Sequence, residues 1–330
     1  MRSRAVRPLA PLCLAVLLAA PAQDAHAGPK RYLVFPFENL SSEPSLSWLG
    51  EALAMSLEDR LELLGMRTVG RTERLDALED LSLPAGVPLT LATTTRVAVR
   101  TRAVRLVMGS FDYHAEDGVM VKAWLLDLEG LRQIWRGGRS GSLANIFTLM
   151  DPLVVEAAAA DGERVSPRGA ESLAGLEEPP LPLYEILVRS LSEEESEQRL
   201  GALAKGLTMD PRSLPLMRAL VFANADAGRV EEAISKVRAI PQEKVARDWR
   251  LHLLEARLLL AEGDVAGALE AASRSIVAGE SADAHLLMAR LLSMRGEADR
   301  ALAELELAEG LDPEHPEISG LRSMGAPASR

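Results

Sequence analysis

Three stretches in the second half of this chain are near-copies of one another, and a chain that repeats itself every thirty-odd residues has few architectures open to it. They are Ala-Asp-Ala-Gly-Arg-Val-Glu-Glu-Ala-Ile-Ser (225–235), Ala-Glu-Gly-Asp-Val-Ala-Gly-Ala-Leu-Glu-Ala (261–271) and Met-Arg-Gly-Glu-Ala-Asp-Arg-Ala-Leu-Ala-Glu (294–304). They align on Gly228, Gly263 and Gly296, spaced by 35 and 33 residues, and on Ala233, Ala268 and Ala301, each five residues further on. The spacing predicts pairs of helices. The glycine makes the turn, the alanine lets the two helices approach, and stacked pairs bury a face that no single pair buries alone.

The pattern resembles the tetratricopeptide repeat (TPR), whose period is about 34 residues. Met209-Asp210-Pro211 and Leu311-Asp312-Pro313 are similar to that family's repeat-ending Leu-Asp-Pro. Repeats then start at 180, 214, 249 and 282, the first with Glu194 where the turn glycine belongs. Residues 183–324 are expected to form an all-α, TPR-type helical solenoid with a short capping helix at 315–324, and 325–330 a disordered tail. The resemblance implies that fixed positions of each first helix line a groove. Here they hold Pro215, Arg218 and Phe222, then Arg250, Leu253 and Arg257, then Asp283, Leu286 and Arg290. Any one of these arginines reads as a solvated helix residue. As a set, Arg218, Arg250, Arg257 and Arg290, interleaved with Phe222, Leu253 and Leu286, suit an acidic or amphipathic partner segment, because a guanidinium pairs a carboxylate through two parallel hydrogen bonds. The family's Lys–Asn carboxylate clamp is absent here.

The first half mixes strand and helix signals. Residues 31–35 form a short β-rich apolar run, and Leu49, Leu53, Leu57, Leu61 and Leu64 fall on one helical face ended by Gly65. Strands follow at 66–69, 105–111, 119–128 and 131–139, with helices near 72–81, 89–102 and 143–160. The predicted order is β-α-β-α-α-β-β-β-α, an α+β domain with a mixed sheet and packed helices, over 28–160. Pro152 predicts a kink or restart in the last helix. Gly109 inside a strand predicts a bulge or a close backbone approach. Glu38-Asn39 reads as a solvated turn capped by Asn39, with a partner-contacting loop as the alternative. Seven glycines and prolines between 161 and 182 read as a linker.

Val34-Phe35-Pro36-Phe37-Glu38-Asn39-Leu40-Ser41 resembles the opening of TolB amino-terminal-like domains. Those share related folds with FlgO-type, CsgG-like and LpoB-like envelope proteins. Trp48-Leu49-Gly50, Val69-Gly70-Arg71, Val107-Met108-Gly109-Ser110 and the run from Leu126-Asp127 through Trp135 to Ile146-Phe147 are similar to later motifs of that family, in order. The resemblance implies an envelope protein in which such a domain precedes TPR repeats.

Residues 1–27 read as a secretory signal: Arg2, Arg4 and Arg7, an apolar run from Leu9 to Ala20, and Ala25-His26-Ala27 as the cleavage site. Twelve apolar residues fall short of the roughly 20 needed to span a bilayer, and no transmembrane segment is expected in the mature chain. The lone Cys13 leaves with the signal. Removal changes the net charge from −11 to −13, of which −10 lies in 161–330. That balance excludes a general nucleic-acid binder. Arg96, Arg100, Arg102 and Arg105 form the one basic run, read as a solvent-facing junction.

No Walker A loop, GxSxG elbow or HExxH motif occurs, so neither a cofactor nor a metal is expected. His252 and His285 share a repeat position and read as packed core histidines. The sequence therefore points to a non-enzymatic adaptor or assembly protein in the periplasm, partnered by other envelope proteins. A cell-wall polysaccharide binder and an enzyme with an unrecognised site remain alternatives.

Overall fold

The computed structural model describes residues 30–325, without 177–178, 242–244, 247 and 314. The expected signal and the tail beyond Gly325 lie outside the described residues. The first half contains the strands β1 (Arg31–Val34), β2 (Glu38–Asn39), β3 (Arg67–Val69), β4 (Arg105–His114), β5 (Gly118–Asp127) and β6 (Arg132–Gly141). Its helices are α1 (Trp48–Leu63), α2 (Arg71–Asp80), α3 (Leu91–Arg100) and α4 (Met150–Ala160). This is the expected order with one addition. The segment read as a turn supplies β2, which pairs in parallel with β4, while Asn39 still caps locally by accepting from the Ser41 N–H at 3.0 Å.

The sheet runs β3-β1-β4-β5-β6, parallel from β3 to β4 and antiparallel from β4 to β6. Alternation along the strands gives two cores. Tyr32, Val34, Val107, Phe111, Val121 and Leu125 face α1 and α4. Leu33, Phe35 and Leu106 face α2 and α3 through Ala77, Leu78, Val97 and Ala98.

Phe37 explains why two glycines are needed. Its ring lies on Gly109 of β4, where an added Cβ would sit 2.1 Å from the ring, and its carbonyl lies against Gly50 of α1, where a Cβ would come to 2.2 Å. The close approach expected at Gly109 is therefore an aromatic ring held between strand and helix.

The end of the α/β half differs in detail from expectation. The break in the last helix falls before Pro152. A 3₁₀ segment, Leu143–Leu149, carries non-helical Asn145, and α4 begins at Met150. Pro152 thus occupies the first turn, where its missing N–H costs nothing. By length and mean hydropathy, 1.4, Leu143–Ala160 could cross a bilayer. Here Ile146, Phe147, Met150, Leu153 and Val154 are core residues against α1 and the sheet. The stretch read as a linker is also packed. It holds α5 (Pro167–Ala174), capped by Ser166, with Leu173 buried in the same core and Gly169 against the Leu63 carbonyl.

Helix pairs follow: α6 (Leu181–Ser190) with α7 (Ser196–Met209), α8 (Leu214–Asp226) with α9 (Val230–Ala239), α10 (Trp249–Ala261) with α11 (Val265–Ala278), and α12 (Ala282–Met294) with α13 (Ala298–Leu311). Helix α14 (Pro316–Gly325) caps the stack, as expected. Gly228, Gly263 and Gly296 have φ of +70°, +81° and +77°. Each closes its helix in one way: the glycine N–H and the next N–H reach back to carbonyls three and five residues earlier, as in Gly263 to Leu260 and Asp264 to Leu259. Ala233, Ala268 and Ala301 are buried at the helix contacts.

Replacing Gly50 with alanine is expected to cost about 1–3 kcal/mol, because the Phe37 backbone must move. Gly201, inside α7 with nothing near its absent Cβ, provides the control. Gly201→Ala should gain about 0.5–1 kcal/mol from helix propensity. Urea denaturation of both variants reads the difference.

Candidate functional site

The groove face of the helical half is occupied at Arg218 and Arg250 by this chain's own α1. Helix α1 carries two stripes. The leucine stripe, Leu49, Leu53, Leu57 and Leu61, lies in one continuous core with the sheet and with Leu183, Tyr184, Leu187, Leu203, Leu216 and Leu220 of α6–α8. Phe147 and Tyr184 stack across this seam with ring centroids 4.2 Å apart. The acidic stripe is Glu51, Glu58, Asp59 and Glu62, whose spacing puts all four carboxylates on one side of the helix.

Two of the expected groove arginines meet that stripe. Arg218 of α8 lies 3.5 Å from Asp59 and 3.5 Å from Asp248. Arg250 of α10 pairs with Glu62 and lies 3.9 Å from Asp59, its guanidinium 5.1 Å from the Trp249 ring centroid. The Asp59 carboxylate holds the Arg218 guanidinium above its ordinary value. Arg71 and Arg74 of α2 close the network on Glu51 at 3.1 and 2.5 Å. The arginines thus bind an acidic helix, as their chemistry predicts, but the helix belongs to the same chain.

The remaining sequence-selected residues scatter. Leu253 and Leu286 are buried in separate cores of the repeats and face no groove. Each packs against a neighbouring helix, which removes it from any docking surface. Phe222 is half-buried. Arg257 is exposed and paired with Asp283 at 2.8 Å, and Arg290 is exposed. His252 and His285 are packed, and His285 ties its helix pair together, whereas Glu255 does so beside His252. His285 meets Glu304 at 2.6 Å, while His252 lies 3.8 Å from Glu255, which also holds Arg274 at 2.8 Å.

The basic run read as solvent-facing is largely engaged. Arg105 is buried between Asp127 and Asp161, at 2.7 and 2.8 Å. Arg102 makes a two-pronged pair with Asp312 at 2.7 and 2.9 Å, and Arg67 donates to the Leu311 carbonyl. These last contacts fasten the β3 edge to the far end of the repeats. Sequence reasoning missed the acidic stripe of α1 as the occupant of the groove, although its spacing was available.

Glu58 is the least compensated member of the seam. It is 5% exposed and its Oε1 accepts no hydrogen bond. Burial pushes its carboxyl up from 4.5 to about 8, against the opposing pull of Arg74 and with Glu51 and Asp59 adding to the rise. A raised carboxyl keeps its proton in the folded chain while the unfolded chain has lost it, so the cost is absent below about pH 4.5 and complete above about pH 8. Glu58→Gln should therefore gain stability relative to the native protein as pH rises from 5 to 8, by at most about 1.4 kcal/mol per pH unit. Urea midpoints at both pH values measure it. Arg250→Ala should cost about 1–3 kcal/mol by stranding Glu62, and Glu62→Gln in the same chain should recover part of the loss.

Residues 259–324 match the tetratricopeptide repeat family. No curated protein matches the chain. Among solved structures, "MamA 41-end" from Desulfovibrio magneticus RS-1 is similar, with 17% identity and a TM-score of 0.40, over 43% of this chain and 81% of that one. The LpoB C-terminal domain from Salmonella enterica has 16% identity and a TM-score of 0.30, over 36% of this chain and 87% of its own. The Yersinia enterocolitica type III secretion chaperone SycD, solved with a peptide of the translocator YopD, has 23% identity and a TM-score of 0.31, over 34% and 87%. By its own elements and the match over 259–324, the chain is an α+β half with a mixed sheet followed by a TPR-type helical half.

Proposed function

We propose that this chain is an exported, non-enzymatic adaptor of the bacterial envelope. One observation carries the reading: an α/β half and a TPR-type half are joined through a single core, giving one body with two unlike outer surfaces. A bridging protein needs that arrangement, since two partners must be held at a fixed separation. The α/β half, whose motifs resemble TolB amino-terminal-like domains, docks to one envelope component. Because α1 occupies the groove at Arg218 and Arg250, a second protein is held on the rest of the repeats, where Val277, Met294, Leu302 and Leu307 are exposed. Arg257 and Arg290 are exposed on the same half and offer cationic contacts there. Residues 1–27 address the chain to the periplasm.

Fractionation followed by mass spectrometry should find the protein in the periplasm beginning at Gly28. An intact amino terminus in the cytoplasm would refute export. Crosslinking in whole cells should give envelope proteins attached to both halves; crosslinks confined to one half would remove the bridging role.

A further inference from the structure

The sheet has two edges with different fates. The β3 edge is fastened to the repeats through Arg67 and the Leu311 carbonyl, with Arg102–Asp312 beside it. The β6 edge, at the other end of the strand order, has no strand beyond it among the described residues. It is ten residues long, from Arg132 to Gly141. Long bare edges invite pairing with another chain, and proteins normally shorten or cover them.

We infer that β6 is a docking edge for an extended acidic segment of a partner protein, taken up as an added strand. Three observations select that occupant. First, the edge is cationic: Arg136 is exposed with no ion pair among the described residues, Lys122 of β5 lies exposed on the same face, and Arg132, 70% exposed, sits 3.5 Å from Asp127 at the strand's start. Second, that face carries Met120, exposed, and Trp124, half-buried, beside those charges, with Trp124 directly opposite Arg136. An aromatic anchor next to arginines is the composition that dominates binding energy at interfaces. Third, Gly138 leaves one position of the edge without a side chain, and the Trp135 ring lies over its neighbour Gly137, so an incoming backbone meets a glycine beside an aromatic surface. Main-chain hydrogen bonds then supply affinity and the arginines supply the preference for carboxylates. A second copy of this chain is disfavoured, because it would bring two cationic edges, each carrying Arg132 and Arg136, alongside one another.

The inference rests on the adaptor reading for its biological sense, but its test is made on purified protein and is independent of export. The probes are a blocked decapeptide of alternating valine and glutamate and its valine–lysine counterpart, with tryptophan fluorescence as the readout. The acidic peptide should bind at least about tenfold tighter than the basic one. It should slow hydrogen exchange of amides within 132–141. The double variant Lys122→Glu, Arg136→Glu, both positions exposed and in no ion pair among the described residues, should keep the native melting temperature and reverse the preference. Equal affinity for both peptides, or binding without protection of β6, overturns the inference. A concentration-dependent dimer that the double variant alters would assign the edge to a second copy and overturn it equally.

Discussion

Helix α1 is buried on two sides at once, and the remaining architecture depends on that double burial. On one side its leucines complete the core of the sheet. On the other they complete the core of α6–α8. A degenerate first repeat without its turn glycine has little of its own to hold it, and here it leans on α1 in place of a preceding repeat. The solenoid is in effect capped by the α/β half. Terminal repeats need such a cap because their outer face would otherwise expose apolar surface.

The polar part of the seam is organised differently from the apolar part. Apolar burial is non-directional, so leucines alone would tolerate rotation of α1 against the repeats. The ion pairs Asp59–Arg218 and Glu62–Arg250 fix its rotation and register, at the expense of desolvating several charges. Glu58 shows the residual cost, a buried carboxyl with one oxygen unpaired. The contacts of Arg67 and Arg102 with residues 311–312 then set how far the repeats wrap.

The fold was legible where local chemistry decides it. Gly228, Gly263 and Gly296 announce helix pairs because only glycine enters a left-handed turn cheaply, and the structure has that φ at all three. Gly109 announces a close approach because the Phe37 ring lies on it, and the Phe37 carbonyl lies against Gly50 in the same way. What was not legible depends on distant parts of the chain meeting. Nothing local to Arg218 or Arg250 distinguishes a carboxylate of a foreign protein from one 159 or 188 residues earlier. Leu253 and Leu286 lie at positions that the family pattern assigns to a groove, yet neighbouring helices bury them. The glycine- and proline-rich stretch at 161–182 reads as a linker by composition, yet Asp161 is clamped by Arg105 and Lys30, and Leu173 reaches the core.

The separation of the Arg67 and Leu311 partners, 244 residues, has a consequence for how the molecule forms. Closing so long a loop costs only a little more entropy than closing a short one, but finding the partner is slow. The helical hairpins can form early from neighbouring residues, whereas α1 completes its contacts only after the repeats exist. Until then the side of α1 that meets α6–α8, with Asp59 and Glu62, is open to water. The helix that joins the two halves of the finished molecule therefore keeps one apolar side uncovered until the second half has formed.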